Sequence, residues 1–183
     1  MRTDRGYSLT ELMVVVGLLG ILSSMAVAQI AMSRPGTKGD SGMRVVLAQL
    51  VQAREMAITQ RRNMRVTFTN SNQVDIQREE IPGPALTTLQ TTVIEGGVQF
   101  LIVSGVPDTP DAFGNSSAVA FGSATEVKFN PQGQLVDQNG QMLNGTVFVA
   151  LSQDKRSARA VTVLGSTGRV RGFRWNGTVW VKV

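Results

Sequence analysis

The chain has 183 residues, 42% hydrophobic and 17% charged, with 18 Lys and Arg against 13 Asp and Glu and a formal net charge of +5. That length holds one modest folded domain plus a short extra segment, and the composition is that of a folded chain rather than a disordered tail. Cysteine and histidine are both absent, which removes disulfides, thiolate nucleophiles, soft metal sites, the commonest general base and any Ser–His–Asp triad. No metal or cofactor is therefore expected, and the chain is not expected to be an enzyme.

The N-terminal residues 1–6 are short and basic, with Arg2 and Arg5. From Leu12 to Ser33 no charge occurs. As a helix this run would span roughly 33 Å, enough to cross a hydrocarbon core of about 30 Å. A secretory signal has a shorter apolar region, about 7–15 residues, followed by a small-residue cleavage site. Arg2 and Arg5 on the short side should stay in the cytoplasm. Gly17, Gly20 and Ser24, spaced by three and four, would let helices approach closely. Glu11 stands at the head of this run, where a charge in hydrocarbon costs roughly 2.5 kcal/mol or more. A plain anchor does not explain it.

The stretch "RG-YSLTELMVVVGLLGIL" resembles the processing signal of type IV prepilins and type II secretion pseudopilins. That signal is a short basic leader ending in Gly, then an aromatic residue, then a Glu fifth from the new N-terminus. The resemblance implies that prepilin peptidase cuts between Gly6 and Tyr7 and methylates the Tyr7 amine, and that Glu11 is the assembly residue. A new cationic amine beside an apolar run would be neutralised by the carboxylate of a neighbouring subunit, since opposite charges attract strongly in low dielectric. The family usually has Phe where Tyr7 stands. On this resemblance 1–6 is the leader and 7–33 the membrane and assembly helix. The chain would sit in the bacterial inner membrane as a single-pass protein, leader in the cytoplasm and domain outside it. It would then join other pilins or pseudopilins in a filament.

"SRPGTKGDSG" holds Pro35 and three glycines and is expected to break or loosen the helix, so 34–42 reads as a linker. A flexible joint and a segment that melts on assembly are both compatible with it. Helical spacing resumes over 43–62, with Met43, Val46, Leu47, Leu50, Ala53 and Ala57 on one face that should dock on a sheet. Arg54 and Arg61 project from the same stripe and are expected to be structural.

Strand signals fill 64–183. "RVTFTNSNQVDIQRE" alternates around an Asn/Ser turn as a hairpin does. "VQFLIV" is a short buried strand, 106–117 a loop, and "EVKFN", "TVFVAL", "RAVTVL", "GRVRGFRW" and "TVWVKV" are further strands. Asn139-Gly140, Asn144-Gly145 and Asn176-Gly177 should supply turns, the last in a two-residue hairpin. The fold class is α+β: a long N-terminal helix packed on an antiparallel, sandwich-like β domain.

"LVQAREMAITQRRNMRVTF", "VKFNPQGQL" and "AVTVLGSTGRVR" occur in the order seen in the GspH/FimT family of minor pilins, which the chain resembles. The resemblance implies a pilin fold and a minor pilin or pseudopilin of a type II secretion system or a type IV pilus. A major pilin is an alternative. A second alternative is a minor pilin that binds double-stranded DNA in uptake, since Gly168-Arg-Val-Arg171 matches a stretch proposed to contact DNA in that family. The residues lend this some support. Lys155–Val183 holds seven basic and no acidic residues. In a strand Arg169 and Arg171 share a face, with Phe173 on it and Arg174 on the other side. Lys155, Arg156 and Arg159 would flank them if the strands pair. Arginine can hold phosphate bidentately without reading sequence. Trp175 and Trp180 are expected to pack across strands rather than stack on bases.

Overall fold

The computed structural model describes residues 8–83, 85–124 and 126–183, with side chains at 25–33 left out. It divides into two compact units, Met1–Arg34 and Pro35–Val183. A single helix, α1, is assigned from Leu9 to Gln60, 52 residues with Pro35 inside it.

In the first unit, Leu12, Val14, Val16, Leu18, Leu19 and Leu22 are all more than half exposed. Among the described residues no helix is long and apolar enough to cross a membrane. The described side chains of the apolar run end at Ser24, so the rest of the expected span lies outside them.

In the second unit residues 35–42 are helical rather than an irregular linker, and their glycines have a different use. Gly36, Gly39 and Gly42 recur every three residues and share one side of the helix. A Cβ on Gly39 would collide with the Ser157 carbonyl, and one on Gly42 would come within 2.6 Å of Val98 Cγ1. Close packing on that side, rather than intrinsic propensity, selects the helix. Beyond it Met43, Val46, Leu50, Ala53 and Ala57 are buried and Leu47 half-buried, as the spacing predicts. Arg61 departs from expectation. Its φ of 50° is the left-handed conformation that ends helices, and it sits exposed in the following turn.

The strands are β1 (Met64–Thr69), β2 (Gln73–Glu79), β3 (Leu86–Val93), β4 (Gln99–Phe100), β5 (Val119–Ala120), β6 (Val127–Phe129), β7 (Leu135–Val136), β8 (Gly145–Ala150), β9 (Arg159–Leu164), β10 (Arg169–Trp175) and β11 (Trp180–Lys182). One sheet runs β3-β2-β1-β6-β7; the other runs β11-β10-β9-β8-β4, with β5 also on β8. All the pairings are antiparallel. The fold is α+β. β3 was missed because "LTTLQTTV" offers no apolar face; it is an exposed edge strand, and its β-branched threonines are the signal that could have found it. The expected "VQFLIV" strand shrinks to two residues.

The second sheet is covered on both faces. Val147, Val149, Val161 and Val163 point to the α1 stripe in the main core. The alternate residues Phe148, Ala150, Ala160, Phe173 and Trp175 join Trp180, Val103 and Val106 in a second core. Period-two alternation produces both layers, and β8, lying between them, is buried at every position. Two turn expectations need correction. Gly145 begins a strand, where a Cβ would collide with the Phe121 ring. The β10–β11 connection is four residues, 176–179, because Trp175 pairs with Trp180; the Asn176 side chain accepts from the amides of Thr178 and Val179 at 2.9 and 2.8 Å.

Candidate functional site

Gly6 and Tyr7, the expected processing residues, lie outside the described residues. The next turn is described. The Ser8 amide donates to Glu11 Oε2 at 3.1 Å, and the Glu11 amide donates to Ser8 Oγ at 3.2 Å. This reciprocal pair is a capping box, which satisfies amides that the first helical turn leaves without partners. Sequence reasoning missed it, although Ser-x-x-Glu before an apolar run is its signature. Glu11 also lies where a carboxylate complements the positive end of the helix dipole. The helix therefore holds the acid at its own N-terminus.

At the other end of the sequence, β9 and β10 pair in unbroken register from Arg169↔Leu164 to Arg174↔Arg159. There is no bulge at Gly172. Arg169, Arg171 and Phe173 share one face, while Val170, Gly172 and Arg174 share the face toward α1, as alternation requires. A Cβ on Gly172 would lie 3.1 Å from Met43 Sδ. Five residues of strand put Arg174 and Arg169 about 17 Å apart along the hairpin. The basic residues expected to form one patch are thus divided between its ends.

At the turn end Arg169 is exposed, and its guanidinium has no ion pair among the described residues. With Arg54 it lines a cleft of 530 Å³ floored by Val51, Leu164 and Val170. Arg171 is committed elsewhere. Its Nη1 meets Asp111 Oδ1 at 2.6 Å, and the other Asp111 oxygen accepts from Thr162 Oγ1 at 2.6 Å. Asp111 thus clips the 106–117 loop across β9 and β10. At the open end, Arg159 corrects its assignment as a DNA contact. It is 2% exposed; Nε bonds Asp40, Nη1 the carbonyls of Arg156 and Ala158, and Nη2 that of Gly36. No face of that guanidinium is left for a phosphate. Arg156 is exposed and grips Asp154 through Nε at 3.1 Å and Nη2 at 2.8 Å. That hydrogen bond holds the Asp154 carboxyl below its ordinary value and raises the arginine. Lys155 and Arg174 are exposed beside it.

The sequence pieces Phe129-Asn-Pro-Gln-Gly133 and Gly168-Arg-Val-Arg171 meet in space. Gly168, with φ 62°, packs against the Gly133 carbonyl so closely that a Cβ would collide with it. The same carbonyl accepts from Arg54 Nε at 3.1 Å. The Leu135 amide donates to the Gly165 carbonyl at 3.0 Å, joining the two sheets at their turns. In the 130–134 turn the Asn130 side chain accepts from the amides of Gln132 and Gln134 at 3.1 and 2.9 Å. Arg54, Gly133 and Gly168 form one structural junction.

The trptophan expectation also holds: the Trp175 and Trp180 rings meet edge to face with centroids 5.5 Å apart. Trp180 Nε1 donates to the Pro107 carbonyl at 2.9 Å.

One helix on two antiparallel sheets, entered by an apolar N-terminal run with a capped Glu, is a pilin-type architecture. The family model for the type II transport protein GspH matches residues 43–168, and that for the prokaryotic N-terminal methylation motif matches residues 1–27. The chain belongs to the GspH family and is a GspH-type minor pseudopilin. Among solved structures it is similar to the minor pseudopilin EpsH from the Type 2 Secretion System of Vibrio cholerae, with a TM-score of 0.51 and 13% identity over 77% of this chain and 99% of that one. At that identity the likeness is one of fold. No curated protein sequence matches the chain. Its family and fold are those of structural pseudopilins.

Proposed function

We propose that this protein is cut between Gly6 and Tyr7 by a prepilin peptidase, methylated on the Tyr7 amine, and held in the inner membrane by 7–33. It then assembles with other pilins or pseudopilins into a type II secretion pseudopilus or a type IV pilus. The observation that carries the reading is the conjunction of a methylation motif over 1–27 with a GspH domain over 43–168. The Ser8–Glu11 box supports a role for Glu11, since it fixes the carboxylate at the N-terminus of the helix, where an amine from a neighbouring subunit would meet it. Glu11→Ala should leave membrane insertion intact and reduce incorporation into filaments at least about ten-fold, the scale of a lost pair in low dielectric. Normal incorporation of Glu11→Ala, measured in sheared filament fractions, would refute the assembly role.

A second reading, contact with double-stranded DNA, rests on the exposed Arg169 and on Lys155, Arg156 and Arg174 at the opposite end of the hairpin. Arg171 would first have to release Asp111. Duplex DNA titrated at several salt concentrations tests it. Binding should weaken steeply with salt and on Arg169→Ala; binding indifferent to both would exclude it.

A further inference from the structure

The open end of the β9–β10 hairpin gathers cations from three elements around the start of the second unit. Gly39 of α1 packs on the Ser157 carbonyl, and Gly36 lies 3.7 Å from the Arg156 carbonyl, both measured from an added Cβ. The 3₁₀ turn Lys155–Ser157 is thus seated directly on Gly36–Gly39. Lys38 extends from that helical turn along Gly96. Arg174 stands opposite Arg159 in register, and Arg159 bonds the Gly36 carbonyl at 2.9 Å. Lys38, Lys155 and Arg174 are exposed, and none has an ion pair among the described residues. The carboxylates facing this end are Asp40, consumed by Arg159, Asp154, gripped by Arg156, and the exposed Glu95 beside Gly96. Five cations thus meet three carboxylates, two of them already bonded.

The chain position of this group identifies its partner. Gly36 follows the end of the apolar run, Ser33, by three residues and Asp40 by seven. Even fully extended, three residues reach only about 11 Å, so Gly36 stays within or close to the headgroup layer beyond the hydrocarbon core. We infer that Lys38, Lys155 and Arg174 form a contact surface for anionic lipid headgroups, holding the domain against the bilayer before assembly. The inference rests on the membrane-anchor reading of 7–33. It reassigns Lys155 and Arg174 from nucleic acid to lipid, because they lie beside the first helical turn of the second unit. Juxtamembrane Lys and Arg are attracted to anionic bilayers and are screened by salt.

The full chain contains no cysteine, so Ser152→Cys, in the exposed turn before Lys155, gives a unique site for a fluorophore. The labelled protein is reconstituted into vesicles of phosphatidylcholine alone or mixed with phosphatidylglycerol, both doped with a lipid whose headgroup carries a quencher. Quenching should be several-fold stronger in the anionic vesicles and fall as salt rises. Lys38→Glu/Lys155→Glu/Arg174→Glu should bring it to the neutral-vesicle level, while Lys38→Arg/Lys155→Arg/Arg174→Lys should preserve it. Equal quenching in both vesicles, or indifference to charge reversal, overturns the inference. Flotation separates the two readings. A chain that floats with both vesicles but shows no lipid contrast overturns the headgroup contact alone; one that floats with neither overturns the anchor as well.

Discussion

The β9–β10 hairpin carries arginine at both ends in opposite circumstances. At the open end Arg159 is 2% exposed and gives its donors to Asp40 and three carbonyls. At the turn end Arg169 is exposed and lines an open cleft. The sequence presents both as members of one basic region. Strand alternation and register separate them: Arg159 falls on the face covered by α1, where a charge survives only if fully bonded. The same contrast holds between glycines, some in open space and others against backbone.

Substitutions can break or sharpen this comparison. Arg159→Leu has the largest expected effect, about 3–5 kcal/mol, because it leaves Asp40 and three carbonyls without their donor; denaturant unfolding measures it. Arg159→Lys should recover little, since an ammonium cannot reproduce the fork. Gly168→Ala should cost about 2–3 kcal/mol through its left-handed φ and the Gly133 carbonyl. Gly39→Ala should cost about 1–3 kcal/mol by pushing α1 off Ser157. Gly36→Ala, three residues earlier and with its nearest neighbours at 3.7 Å, should instead be neutral or stabilise by up to about 1 kcal/mol. Opposite signs at those two glycines would establish close approach, rather than propensity, as what holds the helix there. Arg169→Ala should change stability by less than about 0.5 kcal/mol.

The smallest expected effect is a pH dependence in the other sheet. Burial pushes the Glu79 carboxyl up, but hydrogen bonds from Asn63 and Lys128 and the charges of Lys128 and Arg65 outweigh it and leave it lowered. A carboxylate lowered by folding stabilises the protein above its unfolded pKa, and that contribution disappears as pH falls through the folded value. Glu79→Gln should therefore reduce the loss of melting temperature on acidification below the ordinary glutamate range. An unchanged acid limb would show that Glu79 does not contribute.

Much of the fold was legible in the sequence where one period dominated. The Met43–Ala57 stripe, the β1–β2 hairpin and the β9 and β10 strands follow from spacing alone. The helix over 35–42 was not legible because Pro and Gly signal a break locally, whereas the Ser157 carbonyl that demands Gly39 lies more than a hundred residues away. Arg159 was misassigned for the same reason: its partners Asp40 and Gly36 come from a different element. Asn176-Gly177 suggested a two-residue turn, but the Trp175–Trp180 pair fixed a four-residue one. At the N-terminus, Glu11 stood out through its charge and family pattern, while its bond to Ser8 was overlooked though both residues were in view.

That bond has a consequence for reversibility. With the Ser8 amide and the Glu11 carboxylate already satisfying one another, any donor that captures the carboxylate performs an exchange. The gain is the difference between two hydrogen-bonded states, far less than the full attraction of an isolated ion pair. On the assembly reading proposed above, a released subunit would find its acid's former partner one turn away and need not expose a bare charge. If Glu11 makes the assembly contact proposed above, the capping box would let that contact be opened as well as closed.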